Sequence, residues 1–87
     1  MKTLVHFTAD WCQPCKRMQP VIDDVITGNE SVEYIKVNVD NDKDQLNKYS
    51  DLQPVMGLPT FWLMESDELK KFQTGVMSKE MLTEFIS

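Results

Sequence analysis

Two cysteines three positions apart, in Trp11-Cys12-Gln13-Pro14-Cys15-Lys16, constrain this chain more than any other feature, and they are its only cysteines. Leu4-Val5-His6-Phe7 before them reads as a strand, and the stretch running on to Thr27 reads as a helix. The pair therefore falls on a strand-to-helix turn. The first turn of a helix leaves backbone N–H groups unpaired and carries the positive end of the helix dipole. Both favour a thiolate at Cys12, and the thiolate is the form that attacks a disulfide. A spacing of i, i+3 brings the two sulfurs to one side of the turn, within bonding reach. Pro14 fits, because a first-turn proline gives up an N–H that has no helical partner. Cys12, at the exposed end of the turn, is the expected attacking thiol. Cys15, more covered, is the expected resolving thiol.

Blander readings of the pair are weaker on physical grounds. A purely structural disulfide across so short a loop removes little unfolded-state entropy. A structural zinc site takes about four ligands, whereas the two cysteines and the single His6 make three. Two inert thiols are the remaining alternative. A Cys-x-x-Cys set between a strand and a helix favours redox chemistry over these.

Eighty-seven residues suit one small domain, 1–87. A net charge of −5 without a basic cluster argues against direct nucleic-acid binding and against an anionic membrane surface. Asp40-Asn41-Asp42-Lys43-Asp44 reads as a solvated helix start; it lacks the central glycine and final glutamate of a calcium loop. No apolar run is long enough to span a bilayer. Met1-Lys2-Thr3-Leu4 enters a strand directly, without the apolar core of a secretory signal. The expectation is a cytoplasmic monomer, in a compartment where a cysteine pair is more often catalytic than structural.

In chain order, Thr3 to Thr8 is an expected central strand, since it shows no clean polar alternation. Gln13 to Thr27 is a helix with Met18, Val21, Ile22, Val25 and Ile26 inward, expected to kink at Pro20 without ending there and to be stopped by a left-handed Gly28. Val32 to Val39 is a strand. Asp40 or Asn41 caps a helix reaching about Tyr49, and Ser50 to Leu58 is a loop. Thr60 to Met64 and Glu68 to Thr74 form a hairpin turning at Glu65-Ser66-Asp67. Ser78 caps a last helix, Lys79 to Ile86, that buries Met81, Leu82, Phe85 and Ile86. The order β-α-β-α-β-β-α predicts an α/β fold, a four-stranded mixed sheet flanked by three helices.

The segment from Val5 to Lys16 resembles the active-site segment of thioredoxins, and the element order is similar to the core of the thioredoxin fold, without its leading strand and helix. Gly57-Leu58-Pro59-Thr60 resembles the family's loop whose proline is cis and faces the cysteines. The resemblance implies that the backbone of Leu58 pairs with a substrate chain as a short added strand. Thr74-Gly75-Val76 resembles the third loop of the site. Trp11, Met56, Leu58 and Val76 would form an apolar rim around Cys12, with Met56 and Val76 as core fillers the alternative. Lys36-Val37-Asn38-Val39-Asp40 also matches a family segment, whose lysine lies near a buried aspartate that helps deprotonate the resolving cysteine. In this chain that aspartate position is His6. A neutral His6 could accept the proton of Cys15; the alternative is an inert core histidine. Gln13 stands where most thioredoxins have glycine, and Thr8 where an aromatic residue is usual. Ser50 to Pro54 reads as an insertion before the cis-proline loop, slack in the first reading and a carrier of partner selectivity in the alternative.

The resemblance implies a reductase of protein disulfides, working through a mixed disulfide, with no bound cofactor and with a thioredoxin reductase as electron source. A glutathione-dependent, glutaredoxin-like protein is the first alternative. Gln13-Pro14, Gly57-Leu58 and Gly75-Val76-Met77 depart from the glutathione-binding pattern. The second alternative is a partner-binding subunit whose thiols are incidental.

Overall fold

The computed structural model describes residues 1–87. Its elements follow the expected order: β1 (Lys2–Thr8), α1 (Gln13–Thr27), β2 (Val32–Asn38), α2 (Lys43–Ser50), β3 (Thr60–Glu65), β4 (Glu68–Thr74) and α3 (Lys79–Ile86). The four strands form one sheet in the order β2-β1-β3-β4. β1 runs parallel to β2 through the α1 crossover, while β1–β3 and β3–β4 are antiparallel. Ser66 and Asp67 both take positive φ, 52° and 66°, as a tight two-residue hairpin turn requires.

The central strands are apolar on both faces because both faces are covered. Successive strand residues point to opposite sides. Leu4, Phe61 and Leu63 meet Met18, Ile22 and Val25 of α1 and Leu82 and Ile86 of α3. Val5, Phe7, Val37, Trp62 and Met64 face Tyr49 of α2. There Phe7, Tyr49 and Trp62 pack edge to face, with ring centroids 5.0–5.8 Å apart. β4 is an exposed edge strand bearing Glu68, Lys70 and Lys71, charges that discourage pairing with another chain.

Four local expectations are corrected. Gly28 caps α1 in the right-handed region, φ −86°, so no left-handed stop is used; its N–H donates to the Ile26 carbonyl. α2 begins at Lys43 after Asp42, downstream of Asp40 and Asn41. The Asn38 amide oxygen accepts from the N–H groups of both Asp40 and Asn41 and holds them in a turn. Ser50 belongs to the last turn of α2 and not to the loop; its hydroxyl donates to the Leu46 carbonyl. Met81 is half exposed, at 52%, because α3 seats Leu82 and Ile86 inward and Met81 lies about 100° around the helix from Leu82. α1 runs without interruption through Pro20.

Candidate active site at the dithiol turn

β1 ends at Thr8, and the chain turns at Ala9, whose carbonyl accepts from the Cys12 N–H at 3.1 Å. Cys12 takes an extended conformation and serves as the N-cap of α1. Its carbonyl receives the first helical bond, from the Lys16 N–H at 3.2 Å, and its sulfur accepts from the Cys15 N–H at 3.2 Å. A capping side chain bonded to the third helical N–H is what serine and aspartate caps provide. Here a sulfur does it, and the same contact directs helix-terminal N–H density at the sulfur. Cys12 and Cys15 are joined by a disulfide, with Cα atoms 5.2 Å apart.

Cys12 is not exposed in this oxidised form. It is 4% accessible and Cys15 2%, and the bond packs against Ala9, Val39 and Leu58. The neighbouring side chains are the exposed ones: Trp11 at 67%, Met56 at 88% and Val76 at 53%. Met56 and Val76 are thus surface residues, not core fillers. Gln13 is exposed and Pro14 half-buried.

The facing loop is held by its own bonds. The Leu58–Pro59 peptide is cis. Pro59 is fully buried, and its carbonyl accepts from the Gly75 N–H at 2.8 Å. The buried Thr60 hydroxyl donates to the Gly57 carbonyl and lies 3.0 Å from the Thr74 hydroxyl. Gly75 adopts φ +106°, which side-chain-bearing residues avoid. A side chain at Gly57 would press on Thr74, its Cβ only 3.2 Å from Cγ2. These contacts place Leu58 against the disulfide and Gly75 beside Pro59. Lys36 and His6 are register partners on β2 and β1.

His6 is completely buried, with its ring stacked 4.8 Å from that of Phe61. Its Nδ1 lies 3.1 Å from the Tyr34 hydroxyl, which also accepts from the Gln19 amide; Nε2 has no partner. Burial, and secondly the charge of Lys36, push His6 down to about 4, so the ring is neutral at pH 7. Burial raises Tyr34, which stays protonated. Beside Cys15 a pocket of about 210 Å³ is lined by Thr8, Ala9, Asp10, Lys16, Gln19 and Lys36. A larger cavity of about 510 Å³, near Tyr49 and Leu52, contains neither cysteine. No group of three or more His, Cys, Asp or Glu side chains comes together to hold a metal ion.

Two side-chain contacts beside the dithiol turn are not legible in the sequence. The Trp11 indole N–H donates to Asp40 at 2.8 Å, and the Asn38 amide donates to Asp10 at 3.1 Å. The acidic run thus anchors the exposed tryptophan as well as leading into α2. The only trace in the sequence is a surplus of acids in that run, with no sign of which acid faces Trp11.

A cysteine pair that closes across the first turn of a helix, opposite a cis-proline loop, defines a thiol–disulfide oxidoreductase. The chain belongs to the thioredoxin family, whose model, described as Thioredoxin, matches residues 1–87. It is similar to the thioredoxin of Buchnera aphidicola subsp. Baizongia pistaciae, 33% identical over 85 residues, 97% of this chain and 74% of that one. The Pseudomonas aeruginosa thioredoxin is 33% identical over 95% of this chain and 74% of its own length. Oxidised mitochondrial thioredoxin 3 of Saccharomyces cerevisiae superposes with a TM-score of 0.82 at 30% identity, covering 98% of this chain and 76% of that one. The architecture is the thioredoxin fold.

Proposed function

We propose that this protein works as a reductant of protein disulfides and that Cys12 is its nucleophile. The observation that carries this reading is the Cys12–Cys15 bond closed across the N-terminal turn of α1. In the reduced protein the Cys12 thiolate attacks a substrate disulfide, forms a mixed disulfide and expels one substrate thiolate. The Cys15 thiolate then attacks the Cys12 sulfur, forms the internal disulfide and expels the second substrate thiolate. Two electrons pass to the substrate, both from the dithiol, so no bound cofactor is needed. Trp11, Gln13, Pro14, Met56 and Val76 receive the substrate surface. The backbone of Leu58, before Pro59, and that of Gly75 take its chain. His6 and Lys36 set the charge beside Cys15. A thioredoxin reductase supplies the electrons, and the protein acts as a cytoplasmic monomer. No helix is long and apolar enough to cross a membrane.

Insulin disulfide reduction tests this, with parent protein and Cys12→Ser. Turnover driven by NADPH and thioredoxin reductase, and lost in Cys12→Ser, is the expected result. Turnover only with glutathione and its reductase would assign the electron source to glutathione. No Cys12-dependent turnover with any reductant, dithiothreitol included, would refute the reductase reading and leave a partner-binding role.

A further inference from the structure

The second step of that reaction needs Cys15 as a thiolate, and Cys15 is buried. Burial in apolar surroundings opposes ionisation of a thiol. The charged groups that share a pocket with Cys15 are Asp10 on the preceding loop, Lys16 on α1 and Lys36 on β2; Tyr34 reaches that pocket through Gln19, and His6 lies behind Tyr34. Asp10 is exposed and holds the Asn38 amide. Tyr34 is a neutral phenol bonded to His6 and Gln19. His6 is a poor acceptor, because a proton placed on this ring would sit fully buried and repelled by the Lys36 ammonium.

Lys36 is different. The ion pairs of this protein are Lys70–Glu68 and Lys79–Asp24, so Lys36 has no salt-bridge partner. Its register partner across the ladder is a neutral histidine in place of a carboxylate. Its charge is nonetheless felt inside the protein, since it is one of the two causes that depress His6. It also lines the same pocket as Cys15, and the small Thr8 is part of that lining.

Building on the reductase reading, we propose that Lys36, left without an internal counter-ion by His6, is the charge that stabilises the Cys15 thiolate, and that the Cys15 proton leaves directly to solvent through the pocket between Thr8, Gln19 and Lys36. The step balances simply. Hydroxide or water in the pocket takes the proton from Cys15. The Cys15–Cys12 bond forms as the Cys12–substrate bond breaks, and the departing substrate thiolate takes a proton from solvent. His6 then serves by being neutral: a carboxylate there would pair with Lys36 and withdraw its field from the thiol. Lys36 is a positioning residue acting through the ionisation of Cys15.

The test mixes reduced protein with excess dithiobis(nitrobenzoate) in a stopped-flow instrument across pH 5–9. The first nitrothiophenolate released reports attack by Cys12, the second reports attack by Cys15. A cation lining the same pocket favours the thiolate, and a shift of about one unit is a tenfold change in thiolate at fixed pH. Lys36→Met, an exposed substitution that spares the core, should therefore move the second phase up by about one pH unit. At pH 7 that phase should slow about tenfold, with the first phase changed less than twofold. Lys36→Arg should restore the parent profile. A Lys36→Met profile superimposable on the parent's would overturn the proposal. So would an equal shift in the first phase, which would place the lysine's action at Cys12. Absence of the first phase in the parent protein would instead sink the reductase reading itself.

Discussion

Lowering the pH from 7 to 5 should remove about 2 kcal/mol of folding stability through a single residue. His6 is the only histidine, and it is held at about 4 in the folded protein against 6.5 in a free histidine. The first cause is burial, since the ring has no contact with water; the second is repulsion from Lys36. Between those two values the unfolded chain binds a proton that the folded protein does not, so stability rises with pH. The full stability is present above about 6.5 and is lost as pH falls toward 4, the loss levelling near about 3 kcal/mol below that point. The window from pH 5 to 7 isolates the effect, because ordinary carboxylates titrate below it and the α-amino group above it. Out of a total stability of about 5–15 kcal/mol for a domain, such a loss is easily measured. The assay is urea unfolding of the oxidised protein at pH 7, 6 and 5, followed by far-ultraviolet circular dichroism, with His6→Gln alongside. The parent should lose stability steadily while His6→Gln stays level. A parent protein equally stable at pH 5 and 7, or a His6→Gln variant with the same slope, would refute the neutral buried histidine.

Gly75→Ala should destabilise the protein by about 1–2 kcal/mol, a backbone effect alone, because φ is +106° and an added Cβ meets nothing within 4 Å; an unchanged urea midpoint would show that the loop adopts another conformation at no cost. Asp40→Ala should cost less than about 1 kcal/mol, as the Trp11 contact is solvent-exposed. It should also free the indole, seen as a fall in tryptophan fluorescence anisotropy while buried Trp62 is unaffected; unaltered anisotropy would mean that Asp40 does not hold Trp11.

Elements bounded by strong local signals were legible from the residues. α3 starts where Ser78 stands, and its hydroxyl does accept the Met81 N–H at 3.2 Å. β4 begins after Ser66-Asp67, whose backbone makes the turn that its composition suggests. α2 was less legible because Asp40, Asn41, Asp42 and Asp44 all look like helix starts. The Asn38 side chain takes up the first two N–H groups, and the Asp42 carboxylate accepts the Asn38 N–H at 2.8 Å. In α3, Met81 and Leu82 are equally apolar in sequence. Only the direction of packing against α1 separates the exposed residue from the buried one.

Taken alone, the sequence determined the dithiol: two cysteines one helical turn apart, placed behind a strand, bring their sulfurs together by backbone geometry that needs no distant residue. Tertiary structure alone decided the ionic character of the site. His6 is neutral because Phe61, Tyr34 and Lys36, at least 28 positions away along the chain, bury it, bond it and repel its proton. Trp11 is anchored by an acid 29 positions away, and Cys15 opens on a pocket built from β1, α1 and β2. Desolvation and charge act through space, and which groups share that space is set only when the strands pair and the helices close over them.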